Sequence, residues 1–348
     1  MKTLSIKVFY VGAGDCIVLK LPDGAIGLVD SCVPPWCDAT PALDYLRKQG
    51  GALSFMCLTH PHLDHYGGML QLVNDNSIDI AEFWHPFHAD LYEVVNYKSH
   101  VCQYGKSASI SDMASYENRA AEFPRLMNWA RDLPPGKERS MVAGRVMRRV
   151  ENLYEIVALA PSELATSLYA RRIRWAWEHR ASVQPKYEDR VSAVLLIRFG
   201  DARIILGADA MRANWQEILR GPYFQPNADI AHCFKAAHHG SKYGFYHKMW
   251  PSLVRNGGDI LVSAGSSRWA SREFVESASR EHTLWCTGRG PSCLSNRGPS
   301  AFRHLDDVSK EETGHPCFKD LEVRVFPTGR VEVVPERQRT RSELRCRM

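Results

Sequence analysis

The sequence predicts an α+β protein in which two β-sheets pack face to face with helices on their outer sides. Three observations carry this expectation. Strand-like runs pair through tight turns in both halves of the chain, helical periodicity falls between those runs, and apolar runs in each half end in turns bearing histidine or aspartate. No segment recurs at a fixed period, so a solenoid or propeller is excluded.

In chain order, Ser5 to Val11 alternates and turns at Gly12-Ala13-Gly14-Asp15. Cys16 to Leu21 is apolar and β-branched, Pro22-Asp23-Gly24 makes a hairpin turn, and Ala25 to Val29 ends at Asp30. Ala39 to Gln49 has helical spacing closed by Gly50-Gly51, and Leu53 to Leu58 reads as a buried strand. Between 85 and 152 the periodicity weakens around Pro134-Pro135-Gly136. This stretch is expected to be a helical insertion capping the site, with helices over Tyr116 to Asp132 and Met141 to Glu151. Tyr154 to Leu159 is a strand stopped at Ala160-Pro161, and Ser162 to His179 is a helix carrying Arg171, Arg172, Arg174, Trp175 and Trp177. The strand pattern resumes at Ser192 to Phe199, Arg203 to Leu206 and Ile230 to Ala237, with a helix over Asn214 to Leu219. Asp259 to Ser263, a helix from Ser271 to Arg280, and the pair Leu321 to Phe326 and Arg330 to Val334 complete the set.

The 348 residues and 45% hydrophobic content suit one large domain over residues 1–348, with the insertion inside it. No run of eighteen apolar residues occurs, and MKTLSIKVFYVG lacks the apolar core of a signal peptide. The ten cysteines are scattered without a disulfide-scaffold spacing, and Cys16 and Cys57 sit inside apolar runs, so a reducing, cytoplasmic setting is expected. A net charge of +5 is modest, but Arg119 to Arg180 holds twelve basic residues against seven acidic ones, a distribution that can attract a polyanion.

The densest chemical signal is Thr59-His60-Pro61-His62-Leu63-Asp64-His65-Tyr66-Gly67-Gly68. It sets three imidazoles and a carboxylate within six positions at a strand end. Imidazole suits zinc and related ions, a carboxylate adds harder character, and such a cluster can feed two adjacent metals. Asp209 and the pair His238-His239 likewise follow apolar runs, so the sheets can gather all of these groups at one edge. A carboxylate at Asp209 has two oxygens with which to bridge two cations.

The HxHxDH motif at His60 to His65 resembles the metallo-β-lactamase superfamily. Val11 to Cys16, Leu28 to Ser31, Ala158 to Pro161, Ser192 to Leu195, Leu206 to Asp209 and Lys235 to Ser241 resemble, in order, landmarks of the hydrolase domain of ComEC-type competence proteins, without their membrane channel. The resemblance implies a four-layer αββα sandwich with two divalent metal ions, zinc or manganese. It implies His60, His62 and one further group at the first metal, Asp64, His65 and His238 at the second, and Asp209 between them. Asp30 would hydrogen-bond a ligand rather than a metal.

Three departures stand out. Where many members carry a further histidine, this chain has Tyr187-Glu188-Asp189-Arg190-Val191-Ser192, so Glu188, Asp189 or water takes that place. Ala208 stands where glycine is usual before the aspartate, and Ser267-Arg268-Trp269 stands where relatives carry Gly-His-Pro.

The expected activity is metal-dependent hydrolysis of a phosphodiester in nucleic acid or a nucleotide by a bridging hydroxide. Asp64 and His239 are the catalytic candidates, with His239 or a metal-bound water protonating the leaving oxygen, and the residues themselves leave open which of His238 and His239 ligates the metal. Ser241, Lys242 and Arg268 are expected at the substrate, and Lys235 adds positive charge near the motifs. Two other classes fit the same residues: a hydrolase of small esters or lactones, and a non-catalytic binding protein with structural metals.

Overall fold

The apolar runs that the sequence presents as continuous are buried on both faces, as expected for strands covered on each side. Along Phe55 to Leu58, Phe55 and Cys57 enter one apolar cluster while Met56 and Leu58 enter another. Along Val194 to Ile197, Leu195 and Ile197 face the first of these clusters, and Val194 and Leu196 face a third. The computed structural model describes residues 2–12, 14–87, 93–98, 121–181, 183–244, 249–263, 270–287 and 320–335.

The strands, in chain order, begin with β1 (Leu4–Val8), β2 (Ile17–Lys20), β3 (Ile26–Val29), β4 (Ala52–Leu53), β5 (Phe55–Cys57), β6 (Asp79–Ile80), β7 (Phe83–His85) and β8 (Glu138–Ser140). They continue with β9 (Val146–Val150), β10 (Tyr154–Ala160), β11 (Val194–Phe199), β12 (Ala202–Leu206), β13 (Ala231–Lys235), β14 (Val254–Val262), β15 (Thr283–Cys286), β16 (Leu321–Val325) and β17 (Val331–Pro335). One sheet runs β17-β16-β1-β2-β3-β5-β7-β8, a second runs β15-β14-β13-β12-β11-β10-β9, and β4 pairs with β6 apart from both.

Each large sheet changes direction once. Pairing is antiparallel through β2 and β3 and becomes parallel from β3 to β5; it is antiparallel through β11 and β12 and becomes parallel from β12 to β13. The carboxyl ends of β3, β5, β12 and β13 therefore lie where pairing changes from antiparallel to parallel. Those four ends lead directly to Asp30, His60, Asp209 and His238.

The cluster between the sheets joins Ile6, Val29, Phe55 and Trp84 of the first to Ile156, Leu195, Ile204 and Cys233 of the second. Phe55 and Trp84 stack at 3.8 Å. On the other face of the first sheet, Leu28 and Met56 meet Leu46, Met69, Phe123, Leu126 and Ile173, which belong to the helices Pro41–Lys48, Met69–Val73, Glu122–Arg131 and Glu163–Glu178. On the other face of the second, Ile205 and Phe234 meet Trp215, Trp250 and Phe274 of the helices Arg212–Arg220, Trp250–Leu253 and Arg272–Ala278. Among the described residues no helix is long and apolar enough to cross a membrane.

The stretch 85–152 departs from the sequence expectation in one part. Glu122–Arg131 is helical as read, but Met141 to Glu151 is not: β8 and β9 take up this stretch and its approach and extend the edges of the two sheets. Gly144, at φ 88°, breaks any helix there, and β10 supplies a partner for Val146 to Val150, so pairing overrides local preference. Cys102, Arg119 and the start of the expected helix at Tyr116 lie outside the described residues.

Candidate metal centre

Asp30 organises the first ligand loop from beneath. Its Oδ1 accepts the Thr59 N–H at 2.8 Å and its Oδ2 accepts the Thr59 hydroxyl at 2.6 Å, while the same Oδ2 lies 2.6 Å from His65 Nδ1. Because the Thr59 proton goes to Asp30, the Thr59 oxygen is left to accept from His60 Nδ1 at 3.2 Å. One buried carboxylate thus fixes both His60 and His65 with Nδ1 protonated and the Nε2 lone pair turned inward.

A second carboxylate sets His62 the other way round. Its Nε2 lies 2.9 Å from Glu188 Oε2, which leaves Nδ1 as the inward nitrogen. Glu188 is itself held by Lys98 at 2.5 Å and by the Tyr169 hydroxyl at 3.4 Å. His60 Nε2 and His62 Nδ1 then face each other at 3.0 Å, both 3.8 Å or less from Asp189 Oδ1. Two nitrogens whose protons are committed elsewhere can approach this closely only around a shared proton or a cation.

Asp209 divides the site. Its Oδ2 lies 3.8 Å from His60 Nε2, and its Oδ1 lies 3.5 Å from His65 Nε2 and 3.7 Å from His239 Nε2. His239 Nε2 is also 3.8 Å from Asp64 Oδ2. Two sets of groups therefore converge, His60, His62, Asp189 and Asp209 on one side and Asp64, His65 and His239 on the other. His65 Nε2, His239 Nε2, Asp189 Oδ1 and Asp209 Oδ1 are buried and have no hydrogen-bond partner among the described residues. Leaving so many buried polar atoms unmatched is costly, and a cation at each set would satisfy them. The nitrogen and oxygen donors suit zinc, manganese or iron, so the residues fit a metal centre.

The electrostatics point the same way. Burial, opposed by His62 and reinforced by Asp209, pushes the Asp189 carboxyl up to about 7. Burial also works against charge on His65, but Asp209 and Asp30 outweigh it and hold that imidazole well above its ordinary value. Burial, with the neighbouring His65 and His62, keeps His60 well below its own. His60 therefore offers a neutral nitrogen as it stands, whereas His65 holds a proton that an arriving cation would displace, so metal binding here releases protons.

His239 is held from behind. Its Nδ1 lies 3.0 Å from Ser263 Oγ, Ser263 donates to Asp15 Oδ1, and Lys235 Nζ donates to Asp15 Oδ2 at 3.0 Å. Asp15 follows Gly14, whose φ is 155°, and a Cβ there would lie 2.6 Å from the Asp64 carbonyl oxygen. Only glycine lets the two loops meet, and the Asp15 N–H then donates to that carbonyl at 3.1 Å. Asp30, Ala208, His238 and His239 all take positive φ, between 44° and 56°. Such strain costs of order 1–3 kcal/mol per residue and gathers at functional sites.

The sequence reading therefore needs two corrections of position. His239, not His238, joins Asp64 and His65; the left-handed turn of both residues leaves His238 beside the other carboxylate oxygen of Asp209, with Nε2 3.9 Å from Oδ2. Lys235 does not reach solvent, because it is fully buried against Asp15. Ser241 is half-buried, and its hydroxyl oxygen accepts the Gly244 N–H at 3.4 Å. Of the alternatives left open at Tyr187 to Ser192, Asp189 enters the cluster and Glu188 braces His62. Asp15 and Ser263 were missed as supports; the Gly14-Asp15 turn was the only signal for them. Arg268 lies outside the described residues.

A cavity of about 890 Å³ adjoins this cluster along the chain. It is lined by the helix Glu163–Glu178 (Tyr169, Arg171, Arg172 and Trp175), by Lys186 and Tyr187 immediately before Glu188, by Arg212 just after Asp209, and by Lys242 and Tyr243 just after His239.

No family model matches the chain, and no curated protein matches it. Among solved structures it is similar to a mutant of CmlA beta-hydroxylase, with 15% identity and a TM-score of 0.39 over 82% of this chain. It spans about half, 52%, of that protein. It is also similar to unliganded yeast PDE1, with 12% identity and a TM-score of 0.37, over 76% of this chain and 89% of the other.

Proposed function

We propose that the chain is a metal-dependent hydrolase that cleaves phosphodiester bonds in nucleic acid or nucleotides. The observation that carries this reading is the division of Asp209, one oxygen turned to His60 and the other to His65 and His239. The two large sheets and the three apolar clusters support a four-layer αββα sandwich of the metallo-β-lactamase kind, which the ComEC-like landmarks of the sequence also suggest.

Two divalent ions, zinc or manganese, would be held by His60, His62 and Asp189 on one side and by Asp64, His65 and His239 on the other, with Asp209 shared. Such a pair supplies a water-derived nucleophile at neutral pH and positive charge for an in-line displacement. The chain's own groups do the rest. Asp30 and Glu188 keep the imidazoles turned inward, and Asp15 with Ser263 keeps the His239 Nδ1 proton in place. His238 lies outside both ligand sets with its ring partly open to solvent, and it would be the group to pass a proton to a leaving oxygen. Lys242 and the arginines of the neighbouring cavity favour a phosphodiester over an uncharged ester or lactone.

The test is hydrolysis of bis-p-nitrophenyl phosphate, single-stranded DNA and RNA with zinc or manganese. Turnover abolished by chelator and in Asp209→Ala supports the reading. Turnover that survives chelation, or activity on lactones alone, overturns it.

A further inference from the structure

Four cations of the 890 Å³ cavity, Arg171, Arg172, Lys186 and Lys242, have no carboxylate partner among the described residues. Two arginines nearby are paired, Arg190 with Glu217 and Arg198 with Asp229. The Arg172 guanidinium lies over the Tyr187 ring, its central carbon 4.1 Å from the ring centre, so the ring packs against this cation without neutralising it.

The same cavity exposes large rings. Trp175 is 48% exposed and Tyr243 58%, although both are side chains that a fold ordinarily covers. Trp175 stacks one face on His179, with centroids 4.6 Å apart, so the indole is held rigid with its other face uncovered by that partner. Unpaired cations interleaved with exposed aromatic faces are the combination that binds an unpaired base with its phosphates. A volume of about 890 Å³ falls within the range of about 300–1,000 Å³ found for pockets that hold ligands of nucleotide size.

We infer that this cavity is a nucleotide subsite, in which an unpaired base packs on Trp175 or Tyr243 while Arg171, Arg172 and Lys186 hold the adjoining phosphates. It rests on the phosphodiesterase reading and narrows it to single-stranded nucleic acid or free nucleotides, because a duplex keeps its base faces stacked. Lys186 and Tyr187 run directly into Glu188 and Asp189, and Lys242 follows His239 by three residues, so a strand seated here leads its next phosphodiester toward the metal ligands.

The test is equilibrium binding of a fluorescent, phosphorothioate-linked hexathymidylate, which resists cleavage, to the full-length protein. Trp175→Ala weakens binding about tenfold, and Trp175→Phe restores most of it. Arg171→Ala and Arg172→Ala each make the dependence of log affinity on log salt shallower by about 0.7. A blunt duplex of the same length binds at least about tenfold more weakly than the single strand. Displacement of the probe by a thymidine dinucleotide assigns the subsite to small nucleotides, and resistance to it assigns a strand. Trp175→Ala binding within twofold of the wild type, or equal binding of duplex and single strand, overturns the inference. Bis-p-nitrophenyl phosphate has no base and reports the metal site by itself. If it is hydrolysed while Trp175 proves irrelevant, only the subsite fails; if it is not hydrolysed while the probe still depends on Trp175, only the phosphodiesterase reading fails.

Discussion

Asp30 Oδ2 lies 2.6 Å from His65 Nδ1, and through Thr59 the same carboxylate also sets the ring of His60. Each side of the centre therefore depends on one residue that touches neither ligand set's inward face. Asp30→Ala is expected to lower affinity for zinc or manganese by about 10–100-fold, read by isothermal titration. Unchanged affinity would show that the imidazoles hold their orientation without it.

Asp189 and Glu188 are adjacent acids with different surroundings. Asp189 Oδ1 is buried without a hydrogen-bond partner among the described residues and faces His60 and His62, whereas Glu188 already contacts His62 Nε2 and Lys98. Asp189→Ala is expected to abolish one equivalent of bound metal. Glu188→Gln is expected to keep both and lose about tenfold in affinity at the first. Metal content after gel filtration separates the two, and equal losses would contradict the assignment.

Lys235 and Asp15 form a fully buried ion pair whose removal on one side strands a charge. Lys235→Met is expected to cost about 3–5 kcal/mol of stability, measured by urea unfolding. A cost below about 1 kcal/mol would mean that the pair behaves as if exposed.

Asp229 receives two hydrogen bonds from Arg198, at 2.8 and 2.9 Å, and one from the Gln225 N–H at 3.0 Å. Burial opposes its charge, but these partners hold the carboxyl below its ordinary range. A lowered folded value means that the stabilisation is complete above the unfolded carboxylate pKa of about 4 and is lost as pH falls through the folded value. Asp229→Asn is therefore expected to melt lower than the wild type at pH 7, with the gap closing toward pH 3. A gap that stays constant with pH would contradict this.

Much of the site could be read from the chain because strand ends announce themselves: an apolar run, then His60 to His65, Asp209 or His238-His239, then a turn. Sequence does not reveal which of two neighbours a left-handed turn presents. For that reason His238 and His239 exchanged places, and Glu188 and Asp189 could not be told apart until Lys98 and Tyr169 were seen to engage one of them. Asp15 and Ser263 are 248 positions apart and meet only through the fold. The Met141 to Glu151 stretch was misread because its helical spacing carries no trace of the strand partner, β10, that claims it.

The central claim is that Asp209 stands between two cations. Anomalous diffraction from crystals grown with zinc or manganese tests it most directly. The account predicts two peaks about 3.5–4 Å apart, one beside His60, His62 and Asp189 and one beside Asp64, His65 and His239, with the Asp209 carboxylate between them. A single peak, or two that do not share Asp209, would contradict it.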